Sequence, residues 1–212
     1  MKLYSFFNSS TSYRVRIALA LKKLDFNLAP VNIRAMEHKE PDYVARNPSA
    51  GVPLLVDDGL ELGQSLAIID YLDAKYPEPR LIPQDLIERA RVLEISNLIA
   101  CDMHSLNNLR TLRYLVKNMG VSDEAKNEWY HHWIAEGFRS LEKLLERTDS
   151  GGFSMGGQVS LADCCLVPQV ANATRMGCDM SIYPRIMAVY EHCKTLPAFQ
   201  QAAPGNQPDF QK

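Results

Sequence analysis

Cysteine is sparse in this chain and poorly spaced for chemistry. Five occur among 212 residues: Cys101, Cys164, Cys165, Cys178 and Cys193. The number is odd and no pair has C-x-x-C spacing, which argues against a disulfide framework, a zinc site or a dithiol redox motif. Buried free thiols in helices are the plain reading. Basic charge is not in excess either, with 23 Lys and Arg against 25 Asp and Glu and a net charge of −2. A nucleic-acid or anionic-membrane partner is therefore not expected. No apolar run approaches the ~18 residues of a membrane helix. The chain opens on a strand pattern with no charged-then-apolar leader, so a cytoplasmic location is expected. There is no internal repeat. Gly156-Gly157 lacks the strand and GxxxxGK[ST] context of a phosphate loop and reads as a turn. What is present is apolar content: 46% hydrophobic residues suffice for a packed core, in one large domain or two small ones.

The first ~80 residues read as mixed α and β. A strand over Lys2 to Phe7 precedes a helix from about Ser12 to Lys23. A second strand near Phe26 to Ile33 contains Pro30, which suits an edge. A polar stretch, Arg34 to Asp42, leads to a turn at Asn47-Pro48. Pro53 to Val56 and Leu60 to Leu62 flank Asp57-Asp58-Gly59 as a hairpin. Ser65 is the expected cap of a helix bearing Leu66, Ile69 and Leu72. Pro77, Pro79 and Pro83 mark Tyr76 to Gln84 as a linker. Beyond it, helical patterns run from about Leu86 to Asn118 and from Asp123 to Arg147. Ser160-Leu161-Ala162-Asp163 reads as a capping box, and its helix extends to about Met176. A last helix covers Pro184 to Thr195, with a loose tail after Pro204. The expected organisation is an α/β domain over 1–80 and an all-α domain over 85–212.

The most telling segment is the junction of the first strand and helix, where Ser9, Ser10, Thr11 and Ser12 stand in a row. Hydroxyls and unpaired backbone N–H groups at a helix N-terminus favour an anion, whether phosphate, carboxylate or thiolate. An ordinary N-cap run is the competing reading.

The whole pattern resembles the zeta class of cytosolic glutathione transferases. The stretch Ser9-Ser10-Thr11-Ser12-Tyr13-Arg14-Val15-Arg16 is similar to that class's S-S-C-[ST]-[WY]-R-V-R signature. Asn47-Pro48 with Gly51-Val52-Pro53-Leu54 resembles its cis-proline loop, and Gln64-Ser65 its glutathione-carboxylate motif. Leu161-Ala162-Asp163 and Asn172-Ala173 match its C-terminal helix. The resemblance covers nearly the whole chain. It implies a thioredoxin-like N-terminal domain, an all-α C-terminal domain, glutathione as cofactor and a homodimer. One position departs from the signature, since Thr11 stands where the class carries cysteine.

The class includes maleylpyruvate and maleylacetoacetate isomerases. A thiolate that adds to a maleyl double bond turns it into a single bond; rotation and elimination then give the fumaryl product. Glutathione supplies that sulfur, so the chain need not. The implied reaction is conversion of maleylpyruvate to fumarylpyruvate, with maleylacetoacetate isomerisation, glutathione conjugation or dehalogenation, and a non-catalytic binding module as alternatives. The implied roles are as follows. Ser9, Ser10 and Thr11 face the thiolate, and Val52 and Pro53 hold the glutathione backbone. Gln64 and Ser65 take its γ-glutamyl carboxylate, and His38 its glycyl carboxylate. His104, Asn108 and Thr111 recur at i, i+4 and i+7 as a polar stripe on an otherwise apolar helix. In the resemblance this helix borders the active site and the dimer contact, so Asp102, His104 and Asn108 reach glutathione. Arg110 and Arg175 hold the carboxylates of a small dicarboxylate. For each, an ordinary structural, interface or solvated side chain is the alternative. Asp163, by contrast, reads as a folding residue.

Overall fold

The computed structural model describes residues 1–148 and 151–210. The chain divides into two compact units. One comprises Met1–Ile82 with Lys194–Lys212, the other Pro83–Cys193. The last segment, assigned from sequence to the helical domain, thus clusters with the first unit.

In the first unit, β1 (Lys2–Ser5), α1 (Ser10–Leu21), β2 (Asn27–Pro30), α2 (Pro41–Arg46), β3 (Leu54–Asp57), β4 (Leu60–Gly63) and α3 (Ser65–Lys75) follow in order. The sheet order is β2-β1-β3-β4. β1 pairs parallel with β2, and the other pairings are antiparallel. This is the expected thioredoxin-like arrangement. Pro30 sits on the edge strand, where its missing N–H costs no ladder bond. Asp58 and Gly59 both have positive φ, 47° and 82°, which is the two-residue turn geometry that matches the strand twist. β1 is shorter than expected and α1 starts earlier, at Ser10. The reason is Ser9, whose Oγ accepts the Ser12 N–H and caps the helix two residues ahead of the apolar pattern.

In the second unit, α4 (Leu86–Asn97) runs into a π-helical turn (Leu98–Met103). Then come α5 (His104–Leu106), α6 (Leu109–Lys117), α7 (Asp123–Leu145), α8 (Leu161–Arg175) and α9 (Pro184–Lys194). The single helix expected over 86–118 is therefore broken. Asn107 is buried and donates its amide to the Tyr130 carbonyl, 3.0 Å. Asn108 leaves the helical region (ψ 147°) and caps α6 with its own side chain. Asparagines that bond backbone compete with helix continuation. The π turn packs closely on α7, where a Cβ on Gly137 would lie 2.2 Å from Met103 Cγ.

α10 (Pro197–Ala202) and a 3-10 turn (Pro204–Asn206) complete the first unit. The Tyr13 hydroxyl donates to the Phe199 carbonyl and Arg16 Nε to that of Ala202. The tail after Pro204, expected to be loose, is held over its described residues at Asp209, which accepts the Phe7 N–H, and at Phe210, which packs on Phe7. The linker stretch is also held, because Asp73 accepts the Leu81 and Ile82 N–H groups and Lys22 donates to the Tyr76 and Pro79 carbonyls.

Candidate active site

In the first unit, the residues expected at the site fall into three groups, on α1, α3 and the loop before β3. At α1, the hydroxyls form a hydrogen-bonded chain that ends on the Val52 carbonyl. The Thr11 hydroxyl donates to the Val52 carbonyl, 2.8 Å. Its oxygen lies 2.8 Å from Ser9 Oγ, so Ser9 is the donor to Thr11, and Ser9 in turn accepts from Ser12 N–H at 3.2 Å. Ser9 and Thr11 therefore spend their protons inward. The N–H groups of Ser10 and Thr11 belong to the first turn, which has no intrahelical partners for them. They are the backbone donors of this helix end, beside the Ser10 side chain, which is buried. The helix dipole has the sign that suits an anion.

Val52-Pro53 is a cis peptide. The Gly51 carbonyl before it is fixed by two donors, the Tyr43 hydroxyl (2.6 Å) and Asn47 Nδ2 (2.7 Å). Ser49 Oγ donates to Asn47 Oδ1 and holds that amide in place. These braces escaped sequence reasoning. The signal was present only in the density of polar residues around Asn47-Pro48.

At α3 the cap is Gln64, with φ 68°, and Ser65 is the first helical residue rather than the cap. Ser65 is buried, and its Oγ accepts from Arg14 Nη1 at 3.3 Å. Since the oxygen accepts from a cation, its proton is left for an acceptor on the other side. Arg14 and Arg16 are among the largest fully buried side chains. Burial lowers the Arg16 pKa to about 10, with Asp209 and Tyr13 pulling the other way. Two arginines inside an apolar helix were a legible oddity of the sequence, but their partners were not. His38 lies half-buried in a 3-10 turn, Glu37–Lys39.

In the second unit, Asp102 and Cys101 are exposed on the π turn. They line an open cleft of about 470 Å³ shared with Glu94, Lys143 and Arg147. His104 Nε2 lies 3.3 Å from Asn108 Nδ2. Asn108 Oδ1 accepts the Arg110 N–H, 2.9 Å. Both ends of the Asn108 amide are thus engaged within the unit. The expected stripe of His104, Asn108 and Thr111 on one helix does not form, because the chain turns at Asn107-Asn108. Thr111 instead donates to the Ser105 carbonyl. Arg110 is exposed in the first turn of α6. Arg175 is exposed at the end of α8, where it donates to Asn172 Oδ1. Tyr130 is buried, which raises its pKa strongly, and the Arg175 charge works against that rise. Asp163 is wholly buried. Its carboxylate accepts from Ser154 N–H, Ser160 N–H and the Ser160 hydroxyl, at 2.7, 2.7 and 3.0 Å, as a folding residue should. Among the described residues no three His, Cys, Asp or Glu side chains cluster to hold a metal, and no helix is long and apolar enough to cross a membrane.

Residues 1–74 match the glutathione S-transferase N-terminal domain and residues 106–201 the C-terminal domain of the same family. The chain belongs to the glutathione S-transferase family. Within it, the likeness is to the zeta class. The structure of a maleylpyruvate isomerase described as a bacterial zeta-class glutathione S-transferase superposes with a TM-score of 0.97 at 43% identity, covering 100% of both chains. A probable maleylacetoacetate isomerase of Vibrio cholerae is 48% identical over 209 residues, 98% of this chain and 97% of that protein. A maleylacetoacetate isomerase of Methylobacterium extorquens, solved with malonate and glutathione bound, is 34% identical with a TM-score of 0.93 over 100% of both chains.

Proposed function

We propose that this zeta-class glutathione S-transferase is a glutathione-dependent cis–trans isomerase that converts maleylpyruvate to fumarylpyruvate. The observation that carries the reading is the first turn of α1. The Ser10 and Thr11 N–H groups have no intrahelical partners there, and the buried Ser10 side chain stands beside them, while the protons of Ser9 and Thr11 are spent on Thr11 and the Val52 carbonyl. Such donors stabilise a thiolate over a thiol. Glutathione, when bound, supplies the sulfur that adds reversibly to the maleyl double bond. Val52 beside the cis-Pro53 bond presents extended backbone to it. Ser65, backed by Arg14, and the α3 N-terminus after Gln64 take its γ-glutamyl carboxylate. His38 takes the glycyl end, and Asp102, His104 and Asn108 add contacts. Arg110 and Arg175 bind the two carboxylates of the diacid and hold the substrate while its central bond turns. The protein works in the cytoplasm as a homodimer.

The malonate and glutathione bound in the Methylobacterium isomerase support a site for a dicarboxylate beside a thiol. Maleylpyruvate and maleylacetoacetate differ by one CH2 group, and a pocket separates such a pair by only ~1–3 kcal/mol. The test is turnover of both acids, with and without glutathione, while free thiol is titrated. Fumaryl product that needs glutathione and consumes no thiol is the expected result, with the larger kcat/KM for maleylpyruvate. Arg110→Ala and Arg175→Ala each lower kcat/KM by about 10- to 100-fold at unchanged glutathione affinity. Consumption of thiol would move the chain to conjugation. Binding without turnover of either acid would leave a non-catalytic module.

A further inference from the structure

The loop that delivers the α1 N-terminus is gripped from the far end of the chain. It runs over Phe6, Phe7 and Asn8, and closes with the Ser9 N–H donating to the Phe6 carbonyl, 3.0 Å. Ser10 follows directly as the first helical residue. The peptide groups on both sides of Phe7 are fixed. The Phe7 N–H donates to Asp209 Oδ2 at 2.9 Å, across 202 residues of sequence. The Phe7 carbonyl accepts from Arg16 Nη2 at 2.9 Å, and the Phe6 carbonyl from Arg16 Nη1 at 3.3 Å. The Phe210 ring meets the Phe7 ring edge-on, with centroids 5.5 Å apart. Arg16 is anchored inside the unit by α1 itself and by the Ala202 carbonyl. Asp209 reaches the loop's backbone from the tail, and it sits close enough to Arg16 to act on its charge.

We propose that Asp209 is a positioning residue for the thiolate site: by accepting the Phe7 N–H it holds the Phe6–Ser9 turn, and through it the orientation of the Ser10 and Thr11 donors. The inference rests on the glutathione reading of α1. An anion site made of backbone N–H groups is only as well directed as the turn before it. A carboxylate is the strong acceptor for such an amide, and the aromatic contact of Phe210 keeps the tail in register.

The test measures the ionisation of bound glutathione by the ultraviolet absorbance of its thiolate against pH, with hydrogen exchange at the Phe7 amide as a second readout on the free protein. In the wild type the thiol pKa is lowered and the Phe7 amide is protected. Asp209→Ala removes the protection and raises the thiol pKa by about one unit, a tenfold smaller thiolate-to-thiol ratio at any given pH. Asp209→Asn keeps an acceptor for Phe7 without the charge and stays close to the wild type in both readouts. If Asp209→Ala folds poorly, Phe210→Ala keeps the carboxylate, loosens the same amide and shifts the thiol pKa in the same direction by a smaller amount. Loss of Phe7 protection with an unchanged thiol pKa overturns the proposal. Equal shifts in the Ala and Asn variants also overturn it, since the charge and not the hydrogen bond would then be at work. A wild-type protein that leaves glutathione's thiol at its solution value overturns the glutathione reading instead.

Discussion

Ser9, Ser10 and Thr11 carry the same functional group but use it differently. Ser9 caps α1 and feeds its proton to Thr11, and Thr11 passes its own to the Val52 carbonyl. Thr11 thereby ties the helix end to the cis-proline loop, a task a hydroxyl performs better than a weakly donating thiol. Ser10 has no such duty. Ser10→Ala is expected to lower kcat/KM by about 100-fold, the usual loss for a donor aimed at developing negative charge. Thr11→Val should stay within about tenfold and lose about 1 kcal/mol of stability, the net worth of one hydrogen bond. Steady-state kinetics at saturating glutathione, with urea melts, check both, and the reverse ranking would assign the sulfur contact to Thr11. The hydroxyl run at the start of a helix was legible in the sequence. The division of labour was not, because it depends on the Val52 carbonyl, 41 residues away.

Among the elements, α8 and the 86–118 segment show how far local patterns reach. Ser160 and Asp163 announced the start of α8, and the structure begins that helix at Leu161. A capping box is settled within four residues, so it can be read locally. What the pattern omitted is that Asp163 also accepts the Ser154 N–H and so fixes the preceding loop. Burial raises the Asp163 pKa, while its donors from Ser154 and Ser160 lower it. Asp163→Ala strands these donors and should cost about 3 kcal/mol in chemical denaturation. A loss below about 1 kcal/mol would mean that water replaces the carboxylate. In the 86–118 segment, periodicity misled. Leucine spacing there is helical throughout, but the chain breaks at Asn107-Asn108. The Asn107 amide bonds the Tyr130 carbonyl, and Trp129 Nε1 donates to the Leu106 carbonyl. Both partners lie on α7, out of reach of any local window.

On the scale of the whole molecule, the leading segment of the first unit ends at Ile82, whose N–H is held by Asp73. The prolines of this stretch suggest slack. The stretch is instead bolted by a buried ion pair, Lys22 Nζ to Asp73 Oδ1 at 2.8 Å, with side chains 0% and 4% exposed. Each charge also serves backbone: Lys22 the Tyr76 and Pro79 carbonyls, Asp73 the Leu81 and Ile82 N–H groups. Asp73→Ala should cost about 3–5 kcal/mol, as expected for stranding a buried partner. The double variant Lys22→Met with Asp73→Leu should not recover that loss, because four backbone groups stay unsatisfied. A double-mutant cycle by urea unfolding decides this, and full recovery would reduce the pair to a replaceable core contact.

The sequence by itself determined what is set by short-range geometry. It specified the hairpin at Asp58-Gly59, the edge position of the Pro30 strand, the capping box of α8, the hydroxyl-rich helix end and the order of a mixed α/β unit before an all-helical one. Each follows from backbone preferences or side-chain period over a few residues. The tertiary structure decided which hydroxyls turn inward at α1, that Arg14 backs Ser65, where the long helical pattern breaks, and that the C-terminal segment returns to the first unit to grip Phe7. Those outcomes depend on partners dozens to hundreds of residues apart. A buried polar group must find its partner wherever the fold brings one, and no local pattern records where that will be.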